Sequence, residues 1–178
     1  MKYISLILFA SIWGISQDSF KGRHGIRMQP FFAQLWSEFV SDAARHDVSI
    51  PPIAGTITMV PDNKMHWSVL CAIPGLDIED CEKAGFDLKY SKAVGTCWRD
   101  EWSPFKFDLQ ISDLTLYSYE YARTVFYHEL GHCLFDLGHT DGDMNSIMYY
   151  ASTDYYGDAW PFYVDEFFSS IKNPKAVK

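Results

Sequence analysis

The residues with the clearest chemical potential lie in one stretch, His128-Glu129-Leu130-Gly131-His132. Four residues on an α-helix turn about 400°, so His128 and His132 share one face, one turn apart. Two imidazoles so placed can grip one metal ion, and zinc suits them. Glu129 projects beside that ion. A zinc ion with an open position brings the pKa of bound water to about 7, and a neighbouring carboxylate can take the proton as the water attacks a carbonyl. The spacing therefore points to hydrolysis as well as to a metal. Two satisfied histidines in an ordinary helix are the plainer reading. Against it stand a third His at 139 and a Met-containing segment, Ser146-Ile147-Met148-Tyr149-Tyr150.

This chemistry requires a helix. Ala122, Val125, Phe126, Leu130 and Leu134 recur at helical spacing between Tyr121 and Leu137, a stretch without Pro. Ser118 suits the N-cap, Glu120 the first turn, and Gly138 the stop. Continued straight, such a helix would put His139 about 16 Å along the axis from His128. A zinc–nitrogen bond is about 2 Å, so the helix must break between His132 and His139. Asp136 is expected at the turning position, because Asp tolerates the left-handed conformation better than most residues. Phe135 is then an extra helical residue, and Gly138 is the alternative pivot. Asp136 is also a rival to His139 as third ligand, since it follows His132 by four residues. Asp143 is another.

The run from His128 to His139, followed by Met148, resembles the metzincin clan of zinc peptidases, whose pattern is His-Glu-x-x-His-x-x-Gly-x-x-His before a Met-turn. The spacer between His132 and His139 is six residues where the family has five, and Phe135-Asp136 stands in place of the single Gly. The resemblance implies a zinc endopeptidase acting on protein or peptide substrates. His128, His132 and His139 would bind Zn2+, Glu129 would be general base and later proton donor, and Met148 would be an apolar floor under the ion. Tyr150 matches the position at which astacin-like members place a Tyr that stabilises the tetrahedral intermediate. Tyr149 matches the pattern of matrix-metalloproteinase-like members, so a catalytic and a structural Tyr150 both stand. The rivals are a zincin branch with an acidic third ligand and a non-catalytic, zinc-containing binding module. Intact Glu129 speaks against the module, since a structural site has no use for a base.

The implied fold is α+β: a mixed twisted sheet with a backing helix and an active-site helix, then a small C-terminal subdomain with the Met-turn and a last helix. The chain has elements to match. Phe31, Phe32, Leu35, Trp36, Phe39, Val40, Ala43 and Ala44 mark an amphipathic helix closed off by Pro51-Pro52. Thr56 to Val60, His66 to Ile73 and Val94 to Trp98 read as strands, with an acidic loop from Pro74 to Gly85. Phe105 to Ser112 alternates apolar and polar residues and is a half-buried strand. In the family the last strand before the helix is an antiparallel edge that binds extended substrate. Phe105 to Ser112 is the candidate for that part, with an ordinary sheet strand as the equal alternative. Residues 17–29, with Gly22 and Gly25, read as irregular, and Pro161 to Ile171 as the last helix.

With 178 residues the chain has room for one domain with a sizeable core. Lys2, the mostly apolar run Tyr3 to Ile15, and small Gly14 and Ser16 indicate a signal peptide over residues 1–16, with the catalytic domain at 17–178. The run falls short of the ~20 residues of a membrane span, and an uncleaved anchor is the alternative. A secreted or periplasmic monomer without stable membrane insertion is expected. The net charge of −8 argues against a nucleic-acid partner, because phosphate binding needs clustered Lys and Arg. Of the four Cys, Cys133 reads as a small buried residue beside a ligand, leaving Cys71, Cys81 and Cys97 to supply one disulfide. His24, His46 and His66 lack partners at ligand spacing and read as structural or exposed.

Overall fold

Helix α1 (Pro30–Arg45) buries Phe32, Leu35, Trp36, Phe39 and Ala43 along one face, as its apolar rhythm requires. The computed structural model describes residues 20–21, 25–52, 54–65, 67–71, 83, 88–100, 103–140, 146–149 and 157–173. The chain leaves α1 well before Pro51-Pro52. Asp47 turns it with a φ of 51°, a conformation Asp tolerates.

Among the described residues there are seven strands, two before α1 and five after it: β1 (Phe20–Lys21), β2 (Ile26–Met28), β3 (Ala54–Val60), β4 (Trp67–Cys71), β5 (Leu88–Lys92), β6 (Gly95–Asp100) and β7 (Ser103–Ser112). Five form one mixed sheet in the order β1-β2-β3-β7-β6, and β4 pairs with β5 separately. The pairs β2–β3 and β3–β7 are parallel, while β1–β2 and β6–β7 are antiparallel. The protein is therefore α+β with a mixed sheet.

One expectation is corrected here, and one pair of alternatives is decided. The irregular reading of residues 17–29 is wrong, since β1 and β2 lie within it. Three residues are too few to show a period, and β2 exists because Ile26 and Met28 reach the core from beside β3. For the strand before the central helix, the ordinary-strand alternative holds and the edge reading does not. β7 lies between β3 and β6, and β6 is the outer strand among the described residues. Sheet order departs from chain order because β3 and β7 pair in parallel and the intervening chain must cross over.

Ile57 of β3 and Phe107, Leu109 and Ile111 of β7 point to the core. Thr56 and Asp108, one residue out of phase, point to the other face and hydrogen-bond there. Helix α2 (Tyr119–Phe135) packs on the core side and is buried on most of its circumference. Ser118 caps it, its Oγ accepting from the Tyr121 N–H at 3.2 Å. The buried Tyr127 hydroxyl donates to Asp42 of α1 at 2.8 Å. Helix α3 (Trp160–Lys172) closes the core with Val164, Phe167 and Phe168. His46 is structural, paired with Asp165 at 3.2 Å and stacked on Phe168. His24, His66, Cys81 and the expected signal peptide lie outside the described residues. Among those residues no helix is long and apolar enough to cross a membrane.

Cys133 is not a lone buried thiol. It forms a disulfide with Cys97, with Cα atoms 5.7 Å apart and a sequence separation of 36. The expectation failed because it weighed Cys133 only against its own helix, whereas β6 runs alongside that helix. Closing a loop of this length stabilises the fold by about 4 kcal/mol through the unfolded state.

Candidate metal centre

Helix α2 carries His128 and His132 one turn apart and then ends at Phe135. Asp136 takes the left-handed conformation, with φ 57° and ψ 33°. The Gly131 carbonyl accepts from the Leu137 N–H at 3.1 Å, which folds the chain back over the last turn. The turn thus falls at Asp136, with Phe135 as the extra helical residue, and Gly138 has no positive φ. A six-residue spacer works because a short polar residue substitutes for glycine at the one position that requires it.

The reversal brings three imidazoles together. The Nε2 of His139 lies 3.2 Å from that of His128 and 3.1 Å from that of His132, and the latter two are 3.1 Å apart. Backbone carbonyls orient two of the rings. His128 donates from Nδ1 to the Ile147 carbonyl at 2.7 Å, and His132 from Nδ1 to the Leu137 carbonyl at 2.6 Å. A carbonyl can only accept, so each Nδ1 carries the proton and each neutral ring presents a bare lone pair at Nε2.

Two facing lone pairs 3.1 Å apart repel unless a proton or a cation lies between them. Protonation is disfavoured. Burial, then His132 nearby, pushes the pKa of His128 down to about 3, and burial lowers that of His132 as well. A metal ion between the rings would relieve the repulsion without that cost. Tetrahedral ligands at a zinc–nitrogen distance of about 2.0–2.1 Å would stand about 3.3–3.4 Å apart, within a few tenths of an ångström of the separations here. The three residues could therefore hold a metal ion. Three neutral imidazoles suit zinc, copper, iron or nickel. Burial grades from His128, which is buried, to His139, which is exposed, so the site opens on the His139 side.

The other proposed ligands are placed elsewhere or lie outside the description. The Asp136 carboxylate is exposed and accepts from Arg99 Nη1 at 2.8 Å, so it takes no part in the cluster. Asp143 and Tyr150 are outside the described residues.

Met148 lies in a turn beneath α2. Its N–H donates to Ser146 Oγ at 3.2 Å, and its carbonyl accepts from the Thr140 N–H at 3.0 Å. The Met148 side chain is buried and pressed on Gly131, where an added Cβ would stand 2.5 Å from Sδ. This contact explains the glycine between the two histidines. Gly131→Ala is expected to displace Met148 and lower stability by about 1–3 kcal/mol. Urea denaturation beside Gly138→Ala, where an added Cβ meets nothing within 4 Å, measures it. Equal losses in the two variants would refute the contact.

Glu129 is buried with a relative exposure of 7%. Burial pushes its pKa up to about 8. Its carboxyl lies against β6, where an added Cβ on Gly95 would stand 2.7 Å from Oε1. No family model, curated protein or solved structure matches this chain.

Four contributors were missed from sequence. The Ile147 and Leu137 carbonyls leave no side-chain trace, and the Arg99–Asp136 pair depends on how β6 approaches α2. Gly95 had a usable sign, since a glycine within a strand often marks a close approach.

Proposed function

We propose that this chain is a zinc-dependent endopeptidase of metzincin type that acts on extended protein or peptide segments. The observation that carries the reading is the convergence of three Nε2 atoms beside a buried glutamate that follows the first ligand. The Met148 turn beneath Gly131 supports the family assignment. A zinc ion held by His128, His132 and His139 would supply Lewis acidity, polarising a carbonyl and acidifying water. Glu129 accepts the proton of the attacking water and passes it to the leaving amine. Burial raises the proton affinity of this carboxyl, which favours taking the proton from water, and a cation bound beside it would draw its pKa back down. The outer strand β6 can take substrate as a further strand, a part first expected of β7.

An acidic third ligand is disfavoured because Asp136 pairs with Arg99. A non-catalytic module is disfavoured by Glu129, which carries a desolvation penalty without a stabilising partner to offset it. The Cys97–Cys133 bridge supports a secreted or periplasmic setting. Denatured casein incubated with the protein should be cleaved, the cleavage should stop with a chelator, and zinc should restore it. Absence of chelator-sensitive cleavage, with Glu129→Ala behaving like the parent, would overturn the reading.

A further inference from the structure

The strand beside the metal ligands makes an ordered series of contacts with α2. Gly95, Cys97 and Arg99 are alternate residues of β6, so they face the same way. Gly95 and Cys97 meet successive turns of α2, and Arg99 meets its C-cap. Gly95 lies against Glu129, Cys97 is bonded to Cys133, and Arg99 pairs with Asp136. Glu129 and Cys133, four apart, share one face of α2, and Asp136 is the residue that ends it. Two strand residues advance about 6.6 Å and four helical residues about 6 Å, so strand and helix stay in step from Gly95 to Cys97. The disulfide is the central link and is covalent. The metal-binding imidazoles are oriented otherwise, by the carbonyls of Ile147 and Leu137, neither of which belongs to β6.

We propose that the Cys97–Cys133 disulfide is a positioning element for Glu129. It locks β6 against α2 so that Gly95 confines the carboxylate, and it leaves the three-histidine cluster independent of that lock. The histidines hold the metal and the strand places the base, so the two parts of the site can be separated chemically. Reduction consumes two electrons and two protons and leaves two thiols. A water-soluble phosphine supplies the electrons and becomes its oxide, with oxygen taken from water.

The effect on turnover rests on the peptidase reading, whereas the effects on zinc and on strand protection do not. The test compares the native chain, the phosphine-reduced chain and the Cys97→Ser/Cys133→Ser variant. The variant retains Cys71 and Cys81 and so isolates this bridge. Zinc per chain is measured after gel filtration, amide hydrogen exchange is followed over 93–101 and 126–134, and kcat and KM are determined on a casein-derived peptide. Bound zinc should be unchanged, β6 amides should exchange at least about tenfold faster, and kcat should fall by about ten- to a hundredfold with KM changed less. Reoxidation of the native chain should restore kcat. Unchanged β6 exchange overturns the proposal, and so does loss of zinc together with the bridge. If the variant does not fold, the reduced native chain decides. If the oxidised chain cleaves nothing, the peptidase reading fails, while the zinc and exchange measurements still decide whether the bridge holds β6 independently of the cluster.

Discussion

His139→Ala is expected to weaken zinc binding by about two to three orders of magnitude, whereas Asp136→Asn leaves it within about tenfold. Zinc bound by four ligands is worth about 10–16 kcal/mol, or about 2.5–4 kcal/mol for each. Loss of an outer-shell partner would itself cost about 10–100-fold, so a change within about tenfold marks Asp136 as neither a ligand nor such a partner. The Nε2 of His139 is one of three that meet within 3.2 Å, while the Asp136 carboxylate is turned to Arg99. Asn is chosen at 136 because it also tolerates the left-handed conformation, so the turn survives. Competition against a chromophoric chelator gives the affinities. Tight zinc binding by the His139 variant, or its loss in the Asp136 variant, would replace the proposed ligand set.

Glu129→Gln should retain zinc and lose about 10²- to 10⁴-fold in the rate of peptide hydrolysis, the usual contribution of a positioned base. Gln has nearly the same shape, so packing against Gly95 persists and only the proton acceptor disappears. A parent-like rate would remove Glu129 from the chemistry. The same variant has a signature in the stability of the metal-free chain. Glu129 ionises at about 4.5 when unfolded and about 8 when folded, so the folded state holds more protons across that window and stability is lost as pH rises through it. His128 acts in the opposite direction. With values of 6.5 unfolded and about 3 folded, its contribution is complete above 6.5 and is lost as pH falls. His132, lowered by burial, adds to the histidine side, so below pH 6.5 the two histidines oppose the glutamate and above it the glutamate term remains. Between pH 6.5 and 8 the parent should lose about 2 kcal/mol relative to Glu129→Gln. Urea titrations of both chains at a series of pH values test this, and parallel curves would contradict it.

The cluster was legible because its members are close in the chain and helical geometry relates them. Spacing put His128 and His132 on one face, the axial rise required a break before His139, and the left-handed tolerance of Asp pointed to Asp136, with Gly138 as the alternative. Met148 was legible as a pattern. The elements around the cluster depend on contacts between distant segments. Nothing near Cys133 reveals that Cys97 will face it, because that follows from where β6 lies in the sheet. Nothing in the alternation of Phe105 to Ser112 tells whether one neighbour or two will flank it. The burial of Glu129 likewise comes from Gly95, more than thirty residues upstream.

The carbonyls that orient His128 and His132 have a genetic consequence. Every amino acid at positions 137 and 147 carries the same C=O, so a scan of single substitutions there changes side chains and leaves both acceptors in place. The tautomer of each ring is thereby insulated from point mutation. Only a change in the path of the backbone reaches it, such as an inserted or deleted residue between 133 and 147. Variation in length, more than variation in residue type, is what this part of the site is least able to absorb.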